Sequence, residues 1–302
     1  MSNTLLFMKL NLNIGDIYAI LTAISWSTGV IFFDIAGRKL NSIQMSLLKN
    51  IVGVFGFVLF LIIKGDSLFL FSKNEFIVLV ISGVIGVGLG DIFFLACLRR
   101  LGSSLTAIIS TSYSFIIFIL AYLMYSETIS LLSYFGGVLV IAGVIIGTLD
   151  KSIKKETRDI YMGILFGVLA QLFTAYSVLL LRPIMDNHPV VPIALVRFST
   201  GIIFSLSAII YLDGVHILKQ TITKGFSNIS MITGAFFGTF LSVIFWLSGF
   251  KYTLAGRAAI YNQLSTIFII LLAAIFLKEV MTKRKWFSVF LAMSGAIIVS
   301  VS

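Results

Sequence analysis

The sequence contains one pattern twice. Glu127 ends a long apolar segment, and Glu279 ends another one 152 residues later. Other residues recur at offsets of 143 to 152: Asp16 and Asp159, Lys49 and Arg197, Gly86 and Gly238, Arg99 and Lys251, Gly143 and Gly295. Because the offset grows slowly along the chain, the pattern indicates two structural repeats whose segments keep their length while the loops gain residues. Many membrane carriers consist of two repeats around a central site.

The composition is typical of a membrane protein. Hydrophobic residues make up 59% of the 302 residues and charged residues 11%, whereas soluble domains carry about 25% charged residues. Ten segments approach the length of about 20 apolar residues that crosses a bilayer: 15–35, 42–63, 76–98, 105–125, 131–149, 161–181, 190–212, 229–250, 258–276 and 286–301. We expect helices, because backbone groups in lipid must be satisfied within the segment and the runs do not alternate as barrel strands do.

A charged linker divides the chain into two halves. It spans 150–158, so the first repeat is 1–149 and the second is 159–302. Each repeat holds five segments, and an odd number turns the second repeat upside down relative to the first. The predicted fold is therefore an all-α, multi-pass integral protein of the cell membrane, with ten transmembrane helices in two inverted five-helix repeats.

The residue types argue against several kinds of site. The single Cys97 lies in an apolar segment, which predicts neither a disulfide framework nor a zinc site, and His188 and His216 lie far apart in loops. We expect no catalytic residue, metal or cofactor. The net charge of +10 lies in short loops, where it sets membrane orientation rather than binding nucleic acid. Residues 1–13 show no cleavable signal sequence.

Several residues recur in a known family. They are Trp26 in the first segment, Lys49 in SLLKN, Arg197 in ALVRF, and the SETIS and KEVMT motifs that end the fourth and ninth segments. With these motifs the chain resembles the drug/metabolite transporter superfamily, specifically its EamA-type ten-helix branch, along essentially its whole length. The resemblance implies transport of small metabolites, often amino acids or related compounds, and commonly as export.

The chain departs from the family pattern in the fourth and ninth segments. The family has a Gly-Glu pair at their ends, but Ser126 and Lys278 replace the glycine before Glu127 and Glu279. The family often has proline within these segments, whereas the aligned stretches here read TSYSF and QLSTI. A helix break caused by proline is therefore not expected here. We expect the two glutamates to be solvated or to cap the following helix.

Two charged residues lie deep in the first repeat. Lys49 and Asp91 are each seven residues from a segment end on the same predicted face, about 10 Å deep at 1.5 Å per residue. Because a charge at such depth costs roughly 2.5–3.5 kcal/mol on insertion scales, we expect the two to form an ion pair. The pair either orders the helices, or Asp91 binds a substrate ammonium or a coupling proton. The residue aligned with Asp91 is Val243, so the carboxylate has no counterpart in the second repeat.

A second group of polar candidates lies in the second repeat. Arg197 is as deep as Lys49 but enters from the opposite face, where Asn262 and Gln263 begin the ninth segment, and Gln171 is near the middle of the sixth. We expect these groups to line the other half of a cavity. There Arg197 would hold a carboxylate with paired donors; alternatively, it satisfies carbonyls at a helix end.

Aromatic and hydroxyl side chains are candidates for the cavity wall. The aromatic candidates are Trp26, Tyr113, Tyr176, Trp246 and Tyr261. The alternative for each is packing against lipid or a neighbouring helix. The hydroxyl run at 110–114 points partly into the cavity, and we expect about half of it to bond its own helix backbone.

These residues favour one function over two others. The first hypothesis is a secondary transporter that exports a small polar or zwitterionic metabolite by alternating access, as a monomer or homodimer in the lipid bilayer. The alternatives are a membrane-embedded enzyme acting on a lipid-linked substrate and a receptor or scaffold. An enzyme would need a cluster of acid, base or metal ligands at a membrane face, for which Asp34, Lys49 and Asp91 form the only candidate group.

The orientation in the membrane has two conflicting indications. Loops one, three, five, seven and nine carry 14 of the 22 Lys and Arg residues. This distribution favours a cytoplasmic location for those loops and an outside location for both termini. The family resemblance implies the reverse, with both termini in the cytoplasm.

Overall fold

The computed structural model describes residues 13–65, 71–126, 130–149, 156–253 and 255–301. This part of the chain is built from ten long helices: α1 Ile14–Gly37, α2 Ser42–Lys64, α3 Lys73–Leu101, α4 Ser103–Tyr125, α5 Leu131–Thr148, α6 Thr157–Leu179, α7 Val190–Leu212, α8 Ile229–Tyr252, α9 Ala255–Phe276 and α10 Lys283–Val301. Two shorter helices, Arg182–Met185 and Val215–Phe226, lie between them. Every predicted segment overlaps one long helix.

Local sequence explains where the first helices begin. α1, α2 and α3 each start at a capping box, in which the side chain of Asn13, Asn41 or Ser72 accepts a hydrogen bond from the backbone three residues on. The side chain at that third position in turn accepts a hydrogen bond from the backbone N–H of the cap residue, so that two otherwise unpaired backbone donors are satisfied.

Seven of the helices are long and apolar enough to cross a membrane, namely α1, α2, α3, α4, α6, α7 and α8. α5 and α9 contain the shorter apolar stretches Tyr134–Gly147 and Tyr261–Phe276. Large apolar side chains such as Phe55, Ile62 and Phe290 face outwards, as a lipid-exposed surface requires. That all ten helices cross the bilayer, that the repeats are inverted, and that the linker begins at 150 stay predictions.

One expectation about the loops is wrong. The stretch between the seventh and eighth predicted segments, 213–228, would be a loop by this division, but most of it forms the helix Val215–Phe226. This helix packs on α2, where Gln44 donates a hydrogen bond of 3.0 Å to Thr221 and Leu48 fills the space beside Gly225. Its apolar residues recur every three or four positions from 215 to 226, so the sequence did hold a signal for this helix.

The two repeats pack reciprocally. α1 packs against α8 and α9 of the second repeat, and α6 packs against α3 and α4 of the first. α2 pairs with α7, and α5 pairs with α10. Each helix therefore meets the counterpart expected if a two-fold operation exchanges the repeats.

The third helix of each repeat contains a π-helical stretch. In α3 it covers Gly83–Gly90 and in α8 it covers Phe236–Leu241, which are equivalent positions at the 152-residue offset. π-Helical turns inside α-helices often occur at functional sites. The α8 stretch also lets two backbones touch, because a Cβ on Gly29 would lie 2.3 Å from the Cα of Gly238.

The backbone at the ends of α4 and α9 explains why the family that the chain resembles has a glycine at these positions. Ser126 and Lys278 have φ angles of 54° and 56°, in the left-handed region. Glycine adopts this conformation at no steric cost, whereas other residues do so with strain. The same turn thus ends both helices, even though neither residue is the glycine that would suit it.

The structure tests the prediction for only one of the two glutamates that follow these turns. The prediction that Glu279 caps the helix after it is wrong. Glu279 instead accepts hydrogen bonds from the backbone N–H groups of Ser103 and Ser104, at 2.9 and 3.2 Å, and so caps α4 of the other repeat. A carboxylate is stabilised at a helix N-terminus by the unpaired donors and the helix dipole. Glu127 lies outside the described residues.

Candidate functional site

A central cavity of about 220 Å³ lies between the two repeats. Polar and aromatic side chains of both repeats line it, next to the π-helical stretch of α3. Eight of the eleven candidates named above reach this wall: Trp26, Asp91, Tyr113, Gln171, Arg197, Trp246, Asn262 and Gln263. That these residues bind a substrate stays a prediction.

The candidate Lys49 does not line the cavity but lies behind its wall. Its ammonium forms the predicted ion pair with Asp91 and donates a second hydrogen bond of 2.9 Å to the amide oxygen of Asn50. It also lies over the ring of Phe198, 5.0 Å from the ring centre. The side chain of Lys49 is 7% exposed and that of Asp91 is 22% exposed. Asp91 therefore faces the cavity while Lys49 supports it from the protein side.

Arg197 is buried and also lines the cavity. One terminal nitrogen of its guanidinium donates to the hydroxyl oxygen of Ser177 at 3.1 Å. Its Nε has no hydrogen-bond partner within the described residues. Gly86 provides the space for this group, because a Cβ there would lie 2.2 Å from the Ser177 hydroxyl and 2.9 Å from the guanidinium. The prediction that Arg197 satisfies helix-end carbonyls is not what the described contacts show.

Two amide side chains join helices across the cavity. Gln263 donates to the hydroxyl of Ser114 at 2.7 Å, and Gln171 donates to the hydroxyl of Ser110 at 3.2 Å. Within the same hydroxyl run, Thr111 bonds its own helix backbone, as expected for part of the run. These pairs leave fewer free polar groups in the cavity than the sequence suggested.

Besides Nε of Arg197, two polar atoms beside the cavity have no partner in the part of the chain that the structure describes. They are the hydroxyl of Tyr113 and the amide oxygen of Asn262. Because buried polar groups are normally hydrogen-bonded, such atoms indicate where a ligand or water would bind.

The aromatic wall is smaller than predicted. Trp26 and Trp246 line the cavity, and the ring of Trp26 packs on Phe94 with a centroid separation of 5.2 Å. Tyr176 and Tyr261 do not line it, and Tyr176 is 36% exposed on the outside of the described fold. The sequence could not distinguish these tyrosines from Tyr113, because the helix face that each occupies depends on packing.

Several lining residues were not singled out from the sequence. They include Thr22, Thr174, Ser242, Ser265 and Thr266. Helical spacing could have found some of them, because residues three or four apart share a helix face. Thr22 lies four residues before Trp26, and Thr174 lies three after Gln171.

No group of three or more metal-ligating side chains occurs among the residues described in the structure. The single Cys97 is buried and unbridged. Among the described lining residues, the charged ones are Asp91 and Arg197, and Lys49 lies behind Asp91.

Comparisons with known proteins agree with this architecture. The model of a family described as the EamA-like transporter family matches residues 13–149 and again residues 161–301. No curated protein matches the chain in sequence. A solved structure described as "Crystal structure of protein" is similar in fold, with a TM-score of 0.69 at 11% identity, covering 95% of this chain and 96% of the other.

Proposed function

Because the chain belongs to the EamA-like transporter family, whose members are membrane transporters of the drug/metabolite type rather than enzymes, we propose that it exports a small polar or zwitterionic metabolite such as an amino acid. The family places the chain among multi-pass integral membrane proteins with small-molecule substrates, for which the cell membrane is the usual location. The substrate class, the direction and the mechanism are our proposal.

The observation that carries the proposal is the central cavity. It lies where the two repeats meet, and its wall combines charged, amide and aromatic side chains from both. Substrate sites of two-repeat carriers lie near the bilayer midplane at the repeat interface. A small metabolite with charged groups could satisfy the unpartnered polar atoms of Tyr113 and Asn262, while its apolar part packs on Trp26 and Trp246.

The way the repeats pack supports alternating access. In this mechanism the two repeats rock against each other, so that the cavity opens to one side of the membrane at a time. The contacts of α1 with α8 are equivalent to those of α6 with α3. Because the contacts are equivalent, we propose that exchanging the roles of the two repeats gives a second arrangement, in which the cavity opens to the other side. We propose ten membrane-crossing helices in inverted repeats as the frame for this motion.

Asp91 is the proposed coupling residue. Its carboxylate faces the cavity and is paired with Lys49, and the aligned position in the second repeat is Val243. A proton taken up by Asp91 would remove the attraction between the pair and change the charge beside the substrate. A proton gradient could then drive export.

Counterflow into proteoliposomes tests this function. Vesicles containing the purified protein are loaded with an unlabelled mixture of the standard amino acids, and a labelled trace of each is added outside. A carrier accumulates label by exchange, and vesicles without protein do not. We expect accumulation with the wild type, little with Asp91→Asn, and wild-type accumulation with Asp186→Asn, which removes an exposed loop carboxylate.

Two results would count against the proposal. The absence of exchange for amino acids, organic acids, nucleosides and sugars alike would oppose transport of small polar metabolites. Exchange by Asp91→Asn at the wild-type rate would remove Asp91 from the mechanism.

A further inference from the structure

The charges around the cavity do not balance. Among the lining residues that the structure describes, Asp91 and Arg197 are charged. Asp91 is already paired with Lys49. As an ammonium and a carboxylate, the two side chains together contribute no net charge. Arg197 therefore leaves the cavity with one uncompensated positive charge.

The side chain that Arg197 hydrogen-bonds is neutral. The hydrogen bond from its terminal nitrogen goes to the hydroxyl of Ser177, which in turn donates to the backbone carbonyl of Thr174 at 2.9 Å. The guanidinium Nε has no partner within the described chain, and no carboxylate there lies within ion-pair distance of it. Gly86 has no side chain and so leaves room for the guanidinium and the Ser177 hydroxyl, and both Gly86 and Arg197 line the cavity.

A buried charge of this kind calls for a counter-ion. Charged groups inside a membrane protein are normally paired or line a substrate path, because an isolated charge in a membrane span is costly. Guanidinium groups bind planar carboxylates with two parallel hydrogen bonds. A single carboxylate would balance the single unpaired charge, and the unpartnered hydroxyl of Tyr113 can donate a further hydrogen bond to it.

A substrate amine has no equivalent partner. The carboxylate of Asp91 is neutralised by Lys49, which also binds Asn50 and Phe198 and is held in place by them. The remaining unpartnered acceptor is the amide oxygen of Asn262. That neutral oxygen can accept a hydrogen bond from an amine or from a hydroxyl, so it does not require a positive charge.

We infer that the site recognises its substrate through a carboxylate bound to Arg197, and that the amine of an amino acid can be replaced by a hydroxyl. The inference rests on the proposed function, because it concerns the substrate of the same cavity. It extends the substrate class from zwitterions to 2-hydroxy acids and other small monocarboxylates, and it excludes organic cations.

A matched set of ligands tests the inference. The purified protein in detergent is heated with leucine, leucine methyl ester or the corresponding 2-hydroxy acid, and the same series is repeated for alanine and phenylalanine. The ester keeps the amine and loses the charge of the carboxylate, while the hydroxy acid does the opposite. A ligand that binds the folded state raises the melting temperature.

We expect at least one amino acid and its 2-hydroxy acid to raise the melting temperature and the matching ester to leave it unchanged. Arg197→Gln should weaken the binding of both acids by about 30-fold or more, as truncation of a buried charge partner costs at least about 2 kcal/mol. Lys219→Gln removes an exposed charge and serves as the matched control, with unchanged binding.

The opposite pattern would overturn the inference. Stabilisation by the esters without the hydroxy acids would show that the amine is the group recognised, and so would acid binding that Arg197→Gln leaves unchanged. Failure of every acid in the series to bind would also refute it. Transport is read separately by counterflow, so a protein that binds the acids but exchanges nothing would contradict the proposed function and leave this inference standing.

Discussion

At the scale of single residues, the cavity is defined by which charges have partners. Lys49 and Asp91 neutralise one another, whereas Arg197 is held only by Ser177 among the described residues. The sequence was sufficient to predict that Lys49 pairs with Asp91, because both lie the same number of residues from a segment end on one predicted face. It could not show that Arg197 lacks a carboxylate, because that depends on how α6 and α3 pack around it.

Removal of one member of the ion pair should cost more than removal of both. Lys49→Met leaves Asp91 as a buried charge without its partner, and we expect a loss of about 3 kcal/mol in the free energy of unfolding. The double variant Lys49→Met/Asp91→Asn should regain most of that loss. Thermal unfolding in detergent measures both, and a double variant less stable than Lys49→Met would contradict the pairing.

The residues with left-handed backbone at the ends of α4 and α9 lead to the same prediction for two equivalent turns. Lys278→Gly should stabilise the protein by about 1 kcal/mol, because glycine removes the strain of the positive φ angle. Ser126→Gly should act in the same direction at the equivalent turn. Gly102→Ala should have the opposite effect, since Gly102 has a φ of 83° and a Cβ there would lie 2.9 Å from Glu279. Melting temperatures that move otherwise would exclude strain at these turns.

At the scale of helices, the contacts between repeats matter most. The carboxylate of Glu279, which follows α9, caps the N-terminus of α4 in the other repeat. The sequence pattern predicted α4, α9 and the position of the glutamate at the end of α9, since each of these depends on local residues. It could not predict that the carboxylate would reach an earlier helix, because this contact spans 176 residues.

Glu279→Gln should loosen the start of α4. Hydrogen bonds to a charged group contribute roughly 1.5–3 kcal/mol, and the neutral amide would provide only one acceptor oxygen. Hydrogen exchange of the backbone amides at 103–106 should therefore become faster. Glu75→Gln changes a capping box inside one repeat and should leave exchange at 103–106 unchanged. Equal exchange in Glu279→Gln and wild type would show that the cap is not needed.

At the scale of the whole molecule, equivalent contacts recur in the two repeats. The side chain of Asp16 accepts a hydrogen bond of 2.9 Å from Thr253 at the end of α8, and Asp159 lies 4.0 Å from Arg100 at the end of α3. Both carboxylates thus begin the first helix of one repeat and meet the third helix of the other. The two-fold repetition was visible in the sequence because these pairs keep a nearly constant offset, whereas the cavity formed between the repeats was not.

Orientation is also a property of the whole molecule. The excess of Lys and Arg in the odd-numbered loops predicts that both termini lie outside. A reporter that is active only in the cytoplasm, fused after the last residue, should then be inactive. An active reporter would contradict the charge count and agree with the orientation that the family resemblance implies.

Access to the cavity from each side of the membrane is the most direct test of the account. Thr174 lines the cavity, so Thr174→Cys places a thiol there, while the buried Cys97 and a cysteine replacing the buried Ala175 serve as controls. Membrane-impermeant thiol reagents are applied to inside-out and right-side-out vesicles. Alternating access predicts that Cys at 174 is labelled from both sides and the controls from neither. Labelling of position 174 from only one side, under every condition that supports exchange, would contradict it.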